Sequence, residues 1–251
     1  MKKKIRYNCY LKDLFERKRN KKLLQEARNI LKEKSSKADP LISVLIPTYN
    51  RPELLTQRTI PSVLKQTYQN FEIIIVGDHC TDNTEELINN FNDERIKFYN
   101  LPERGEYPTK LHARWQVAGV VPASKAIDLS VGDWIAPLDD DDEFTEDHLE
   151  VLLKFAVENN YEMVYGKAKW EIRPGEWVEV GSCPLEHAKI AHLSVLYSAG
   201  LEFFKYDIDA WKWEEPADWN LWRRMKEAGV RVGFIDKIVG IHYLEKTQRG
   251  V

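Results

Sequence analysis

The sequence contains little cysteine and no long apolar run. Its 251 residues include three cysteines, Cys9, Cys80 and Cys183, which are widely separated and form no CxxC pair. We therefore expect neither structural disulfides nor a zinc site, and a reducing, cytoplasmic setting suits this composition. No apolar run approaches the roughly 20 residues that a membrane-spanning helix needs. The basic N-terminus is followed by no continuous apolar stretch, so it does not read as a secretion signal.

Positive charge is also scarce outside the N-terminus. Residues 1–37 hold 14 of the 37 Lys and Arg but only 4 of the 40 Asp and Glu, so this segment carries a net charge of +10. Residues 38–251 carry a net charge of -13. An acidic body argues against a nucleic-acid-binding surface over most of the chain.

The basic segment has the spacing of an amphipathic helix. Apolar residues recur at helical intervals at Leu23, Leu24, Ala27, Ile30 and Leu31. They predict a helix over residues 10–34, and "SSKADP" (35–40) marks the end of an N-terminal arm formed by residues 1–40. Two interpretations remain open: the arm attaches to an anionic membrane surface or a partner protein, or it packs on the outside of the domain.

Strand and helix patterns alternate after Pro40. Apolar runs predict buried strands at 41–47, 71–77 and 96–100. Helical patterns follow at 52–66, at 121–132, and from a cap at Asp82 and Thr84 to Phe91. This order predicts an α/β domain over 41–251, with a mostly parallel sheet and helices on both faces. We divide it into a ligand-binding half (41–142) and a second half (143–251).

Polar clusters stand where the predicted strands end. They are "PTYNR" (47–51), "GDHCTDNT" (77–84) and "DDDD" (139–142). In parallel α/β sheets, ligands bind beyond the carboxyl ends of the strands. The alternate carboxylates Asp139 and Asp141 can hold a hard divalent cation and orient a diphosphate. A solvated acidic loop or a purely structural calcium site are the alternatives, although the spacing lacks the Gly and distal Glu of an EF-hand.

Four ordered motifs resemble those of the family 2 glycosyltransferases. They are "ISVLIPTYNRPELL", "IIIVGDHCTDNT", "GDWIAPLDDDDEF" and "PADWNLWRRMKEAGVRVGFID", which together cover residues 41 to about 243. The resemblance implies the GT-A fold, which has a Rossmann-like twisted sheet. It also implies inverting transfer of a sugar from a nucleoside diphosphate sugar, usually UDP-linked, to a carbohydrate or glycoconjugate acceptor, with Mn²⁺ or Mg²⁺ as cofactor.

The resemblance also implies site residues. The nucleotide pocket would be formed by Pro47, Thr48, Tyr49, Arg51, Asp78, Asp139 and Asp140. Within this set Asp78 matches the acid that contacts uracil, and Asp139 and Asp141 match the metal-binding DxD pair. Asp218 matches the catalytic base.

Two departures from the family pattern bear on the nucleotide. The second strand usually ends in two aspartates, but the first position here is Gly77. The helix before "GDW" usually carries an Arg-Asn pair, where this chain has "PASK". Arg104 could supply the missing positive charge near the diphosphate, or it could be a solvated loop residue.

The second half offers three further candidates. Asp218 begins the helical stretch "DWNLWRRMKEAG", so it could act as general base or only as an N-cap. His242 follows a predicted strand and could add a metal ligand, although a lone His there is commonly structural. Trp211 and Trp213 precede Asp218 and are candidates for stacking on an acceptor sugar.

Three other functions compete with sugar transfer. Sugar nucleotidyltransferases use a Gly-rich phosphate loop after the first strand, whereas "IPTYNR" contains no Gly. A catalytically silent nucleotide-sugar-binding or scaffold protein is the second alternative, which the intact Asp139, Asp141 and Asp218 disfavour. A calcium-dependent adhesion module is the third, and the parallel-sheet pattern disfavours it.

Overall fold

The computed structural model describes residues 2–33 and 38–245, with the side chains of residues 12, 14–30 and 38–245. The helices are α1 (Lys2–Glu33), α2 (Pro52–Leu54), α3 (Ile60–Leu64), α4 (Thr84–Asn89), α5 (Leu111–Val117), α6 (Val120–Leu129), α7 (His148–Glu158) and α8 (Ala217–Ala228). The strands are β1 (Ile42–Thr48), β2 (Phe71–Gly77), β3 (Ile96–Asn100), β4 (Trp134–Pro137), β5 (Glu143–Phe144), β6 (Met163–Arg173), β7 (Glu176–Val180), β8 (Val195–Ser198) and β9 (Val232–His242). A π-helical turn (Leu55–Thr59) joins α2 to α3, and 3₁₀ turns lie at His192–Ser194, Ala199–Leu201 and Ala210–Trp213.

The strands in the described ranges form one mixed sheet in the order β3-β2-β1-β4-β8-β6-β9-β5, and β7 pairs with β6 as a hairpin. β3, β2, β1 and β4 are parallel, as predicted. β8 then runs antiparallel between β4 and β6. β9 is parallel to β6 and antiparallel to β5. The α/β prediction is therefore confirmed, and the antiparallel insertion falls in the second half.

Both faces of the central strands are covered. Val44 and Ile46 of β1 belong to one apolar core, which includes residues of α3 and α7. Leu45 belongs to a second core on the opposite face, which includes residues of α6, α8 and α1. Strands covered on both faces need a continuous apolar run, because successive side chains point to opposite faces. This explains why "ISVLI" shows no alternation.

The predicted strands agree with the structure more closely than the predicted helices. The strands at 71–77 and 96–100 match their bounds, and the first strand is displaced by one residue. Helix α6 ends at Leu129 rather than at residue 132. The reason is a buried polar network: the backbone N–H of Val131 donates to Glu72 Oε1 (2.8 Å) and that of Gly132 donates to Ser43 Oγ (2.9 Å). These bonds hold the chain extended as it enters β4.

Helix α1 extends from residue 2 to 33, beyond the predicted 10–34 at its N-terminal end, and packs against α8. Leu24 is 2 % exposed within the second core. Ion pairs fix α1 to the body, namely Lys12–Asp207 at 3.0 Å, Arg17–Glu227 at 2.8 Å and Arg28–Glu162 at 2.7 Å. The inner face of α1 therefore packs on the outside of the domain. Within the described ranges, no helix combines the length and apolar character needed to cross a membrane.

Candidate functional site

The ends of the parallel strands bring all three predicted polar clusters into contact. Thr48, the last residue of β1, donates its hydroxyl to Asp140 Oδ2 at 2.7 Å. The backbone N–H of Asp78, just after β2, donates to the carbonyl of Thr48 at 2.8 Å. These contacts arise because β1 pairs in parallel with both β2 and β4, so the three strands end at one edge. The predicted convergence of clusters is confirmed.

The four aspartates occupy different environments. Asp139 has a side chain that is 41 % exposed, and its carboxylate lies 3.3 Å from His192 Nδ1. Asp140 and Asp141 are buried and both accept from Arg51 Nη1, at 3.2 Å and 2.9 Å. Asp142 is fully buried, and His242 Nδ1 lies 2.9 Å and 3.1 Å from its two oxygens. Of the four, only Asp139 presents a substantially exposed carboxylate.

Burial and mutual repulsion make this cluster electrostatically costly. Burial raises the pKa of Asp140 to about 7, with the charge of Asp141 adding to the effect and Arg51 opposing it. Burial likewise raises the pKa of Asp142 to about 7 despite the bond with His242. For Asp139, burial acts to raise the pKa, but the charge and contact of His192 outweigh it and leave the pKa lowered. The positive charges within the cluster are therefore too few to keep all four carboxylates ionised without a cost in free energy.

Side chains of the π-helical turn donate hydrogen bonds to backbone carbonyls of the aspartate loop. Arg58 Nη1 donates to the backbone carbonyl of Asp141 at 2.7 Å and to Glu245 Oε1 at 2.6 Å. Thr59, at the end of the turn, donates its hydroxyl to the carbonyl of Asp142 at 3.0 Å. π-helical turns recur at functional sites. Sequence reasoning missed Arg58, because a continuous helical pattern over 52–66 does not show where the turn widens.

The predicted metal ligands are neighbours but do not form a ligand set. Asp141 is paired with Arg51, and the Nδ1 of His242 faces Asp142. Among residues 2–33 and 38–245, no group of three His, Cys, Asp or Glu side chains is placed to hold a metal ion. The chemistry of the donors nevertheless fits a hard divalent cation, because carboxylate oxygens are its preferred ligands and the loop carries excess negative charge. The assignment of Asp139, Asp141 and His242 to a metal stays a prediction.

A second cluster surrounds Asp78. This carboxylate is 3 % exposed and accepts from the backbone N–H of Gly105 at 2.9 Å. Arg104 Nε lies 3.7 Å from the other oxygen, and the Arg104 guanidinium stacks 3.6 Å from the centre of the Tyr49 ring. Arg104 thus lies beside Tyr49 and Asp78 with a side chain that is 46% exposed, and its role near the diphosphate stays a prediction. Pro47 lies within β1, opposite Val76 of β2.

The geometry at Gly77 gives a physical reason for its departure from the family pattern. A Cβ atom at this position would lie 2.6 Å from Asn100 Oδ1. The Asn100 side chain is fixed there, because it accepts from the N–H of Cys80 at 2.8 Å and donates to its carbonyl at 2.8 Å. A larger residue at position 77 would therefore displace the amide that shapes the loop before Asp82.

Asp218 is the candidate site residue contributed by α8. It is the second residue of α8, and Pro216 occupies the cap position without a side-chain cap bond. The N-cap alternative for Asp218 is therefore wrong. Burial raises the pKa of Asp218, the charge of His192 opposes this, and Asp139 adds to it. A carboxylate with a raised pKa is better suited to accept a proton.

His192 joins the two sides, and sequence reasoning missed it. Its Nε2 lies 2.8 Å from the Tyr206 hydroxyl, and its Nδ1 faces Asp139. Burial lowers the pKa of His192, but the charges of Asp139, Asp218 and Asp142 outweigh burial and raise it to about 8. One signal for this residue is present in the sequence, a His three residues before the apolar run of β8. A structural histidine could stand there equally well, so the signal does not mark a functional residue.

The two predicted acceptor tryptophans occupy the 3₁₀ turn before α8. Trp211 packs against a small apolar cluster that includes Val117 and Ala217. The ring of Trp213 lies 4.9 Å from the ammonium of Lys12 on α1. Trp213 therefore borders α1, and an acceptor role for either ring stays a prediction.

Comparison with known proteins identifies the relatives of this chain. The sequence model described as "Glycosyl transferase family 2" matches residues 43–113 and 123–191. A glycosyltransferase of Rickettsia conorii is 38% identical over 124 residues, covering 49% of this chain and 18% of the relative. The UDP-Glc:alpha-D-GlcNAc-diphosphoundecaprenol beta-1,3-glucosyltransferase WfgD of Escherichia coli is 34% identical over 128 residues, covering 51% of this chain and 46% of the relative. The chain thus spans less than half the length of these two relatives.

Solved structures share the fold. Staphylococcus aureus TarS (residues 1–349) in complex with UDP has a TM-score of 0.63 at 19% identity, covering 83% of this chain and 62% of that one. A Pyrobaculum calidifontis mannosyltransferase in complex with GDP-Man and Mn²⁺ has a TM-score of 0.59 at 16% identity. The match covers 98% of this chain and 70% of the mannosyltransferase chain. These likenesses confirm the GT-A fold. Because the family model matches more than half of the residues, the chain belongs to glycosyl transferase family 2.

Proposed function

We propose that this chain transfers a sugar from a nucleoside diphosphate sugar, with UDP as the favoured nucleotide, to the hydroxyl of a carbohydrate or glycoconjugate acceptor. The observation that carries this proposal is the placement of Asp139 and Asp218. The exposed carboxylate of Asp139 stands at the strand ends, and Asp218 lies close enough for each to act on His192. Support comes from WfgD, which is named for a UDP-Glc donor, and from TarS, which was crystallised with UDP.

The nucleoside would bind between the ends of β1 and β2. The Tyr49 ring, 37% exposed, offers a stacking surface for the base. The Asp78 carboxylate, which accepts from the backbone N–H of Gly105, would also accept from an N–H of the base. Arg104 covers Tyr49 in the structure, so it would move to the base or to the diphosphate when the donor binds. Thr48 holds Asp140 and so fixes the start of the aspartate loop.

The diphosphate would lie over the aspartate loop. A bound Mn²⁺ or Mg²⁺ supplies positive charge beside the leaving group. Asp139 and Asp141 would hold the ion, and His242 is the nearest additional donor. Arg51 would keep Asp140 compensated, since its guanidinium already reaches two carboxylates of the loop.

Asp218 would act as the general base. In a direct displacement with inversion, the acceptor oxygen would attack the anomeric carbon as the bond from that carbon to the diphosphate oxygen breaks. The nucleoside diphosphate leaves with the bonding electrons, and the acceptor's proton passes to a carboxylate oxygen. The pKa of Asp218, raised by burial, favours this transfer. The buried ring of His192 between Asp139 and Asp218 would keep the donor and acceptor sides at a fixed separation.

We further propose that the arm contacts anionic membrane surface through the outer face of α1. Phe15 is 74% exposed and Leu14 is 44% exposed, and both lie close in sequence to the exposed Lys18 and Lys22. Exposed apolar and basic side chains on one helix favour an anionic lipid surface.

Thermal stabilisation by nucleotide sugars tests the donor proposal. We expect a UDP-sugar with Mn²⁺ to raise the melting temperature, because a ligand that binds only the folded state stabilises it. GDP- and dTDP-sugars are the comparison ligands. Stabilisation by none of them, with or without Mn²⁺, would contradict the proposed function.

A further inference from the structure

An open cleft lies between α1, α8 and the segment 203–207. Its volume is about 440 Å³. Residues of α1, of the segment 203–207 and of α8 line it. Four of its lining residues are basic and two are acidic, namely Lys12, Arg19, Lys205 and Arg224 against Glu16 and Asp207. This excess of positive charge contrasts with the acidic character of the body.

The acidic residues of the cleft compensate Arg224 only in part: burial lowers its pKa, and the charges of Glu16 and Asp207 oppose burial without outweighing it. Asp207 pairs with Lys12 at 3.0 Å. Within the described part of the chain, no carboxylate lies within ion-pair distance of Arg19 or Arg224. Arg224 is nevertheless 7% exposed.

The Arg224 guanidinium has only neutral partners. Its Nε donates to Asn220 Oδ1 at 2.9 Å, and its Nη2 donates to the backbone carbonyl of Lys205. A buried cation with neutral partners is costly, and an anion beside it would offset that cost. The planar fork of arginine matches the oxygens of phosphate groups.

The cleft adjoins the acceptor side of the candidate site. Tyr206 forms part of its wall, and the hydroxyl of the same residue contacts His192 at 2.8 Å. Arg224 follows Asp218 by six residues on α8, an axial distance of about 9 Å. Leu23 and Phe203 add apolar surface to the same cleft.

We propose that this cleft binds an anionic phosphate or diphosphate group of the acceptor, with Arg19 and Arg224 as its ligands. The inference rests on the proposed function, since it assigns the acceptor's chemical class. Tyr206, which lines the cleft and contacts His192, would then lie between the anionic group and the acceptor hydroxyl. Leu23 and Phe203 would contact the part of the acceptor beyond the phosphates.

Calorimetric binding of inorganic pyrophosphate and of farnesyl diphosphate tests this site directly. Both titrations are done in EDTA, so that no divalent ion draws the probe to the aspartate loop. We expect both probes to bind the full chain, and Arg19→Gln to weaken binding roughly tenfold or more, as loss of a charge-assisted bond predicts. Lys21→Gln is the matched control, because Lys21 is exposed on the same helix and does not line the cleft. Tighter binding of farnesyl diphosphate would indicate a lipid-linked acceptor, and equal binding would indicate recognition of the phosphates alone.

Three results would overturn the proposal: no binding of either probe, equal weakening by Arg19→Gln and Lys21→Gln, or displacement of the probe in EDTA by uridine, which carries no phosphate. The last result would place the probe in the donor pocket. Binding of UDP with Mn²⁺ by the unmodified chain is measured separately. The donor function and the acceptor cleft can therefore fail independently.

Discussion

Asp218 is the residue on which the proposed chemistry depends most directly. We expect Asp218→Asn to lower the transfer rate by roughly a hundredfold or more, because the amide cannot accept the acceptor's proton. The affinity for the donor and the melting temperature should stay nearly unchanged, since the amide oxygen of Asn can still accept the backbone hydrogen bonds that the Asp218 carboxylate accepts in the first turn of α8. Steady-state transfer assays and donor titrations measure the two effects.

Glu214→Gln is the matched control, because Glu214 is exposed and lies just before α8. It should leave transfer near the unmodified rate. Retention of most of the transferase rate by Asp218→Asn, with loss in Glu214→Gln, would move the base to Glu214.

Substitution of Asp139 tests whether a metal ion contributes to nucleotide binding. We expect Asp139→Asn to abolish most of the gain in UDP affinity that Mn²⁺ gives over EDTA, because an amide is a weaker ligand for a hard cation. Asp82→Asn, in the loop after β2, is the control and should keep that gain. Equal UDP affinity of the unmodified chain in Mn²⁺ and in EDTA would remove the metal from the mechanism.

Some of these residues could be predicted and others could not. The four aspartates and Asp218 belong to ordered motifs, and Thr48 and Asp78 directly follow predicted strands. Motifs and strand ends could therefore identify these residues from the sequence. His192 and Arg58 belong to no motif, and their importance depends on contacts across 53 and 83 positions of the chain. The pairing of Asp141 with Arg51 was equally hidden, because a sequence does not show which carboxylate a loop turns toward a cation.

Helix α1 is anchored by a carboxylate whose ionisation should control stability. Burial acts to raise the pKa of Glu162, but hydrogen bonds from Arg28 and the backbone of Arg231, together with both positive charges, outweigh it and lower the pKa. A group with a lowered folded-state pKa contributes stability above its unfolded pKa of about 4.3, and this contribution is lost as the pH falls through the folded value. We expect Glu162→Gln to cost about 2 kcal/mol in the free energy of unfolding at neutral pH.

Chemical denaturation between pH 3 and 7 measures this effect. The Glu162→Gln protein should lose less stability than the unmodified protein on acidification below about pH 4.5, because its anchor no longer titrates. Glu158→Gln is the control, since Glu158 is exposed and pairs only with Lys154 at 3.9 Å. Parallel pH profiles for the unmodified and Glu162→Gln proteins would contradict the assignment.

The outer face of α1 carries the proposed membrane contact. We expect the double variant Lys18→Glu/Lys22→Glu to sediment less with vesicles containing anionic lipid, because each basic residue near such a surface contributes about 1 kcal/mol. The difference should shrink at high salt. The double variant Lys65→Glu/Lys154→Glu, at exposed positions away from α1, controls for the same change in net charge. Identical sedimentation of all three proteins would rule the membrane role out.

Substitutions on α1 are preferable to deletion of the N-terminal arm, because the helix is part of the folded domain. Deletion of residues 1–37 would be the simplest way to remove the basic arm. In the structure, Leu24 is part of the second core and Arg28 compensates Glu162. Removing the helix would therefore leave apolar surface exposed and a buried carboxylate with one partner fewer.

At the scale of the whole molecule, the parallel part of the sheet could be predicted and the rest could not. β1 to β4 follow a repeated strand–helix order that chain connectivity almost dictates. The insertion of β8 between β4 and β6, and the parallel pairing of β6 with β9, join segments tens of residues apart. Their apolar runs predict strands, but periodicity does not specify a neighbour in the sheet.

The bond between His242 and Asp142 also has a consequence for how the protein folds. It joins the aspartate loop to a residue 100 positions later, at the end of β9. Contacts of such sequence separation form slowly, because the chain between them must first be ordered. The aspartate loop should therefore reach its final arrangement late in folding, after β1, β2 and β4 have paired. A ribosome-bound chain that has not yet released β9 would hold a nearly complete nucleotide pocket beside an unfinished aspartate loop.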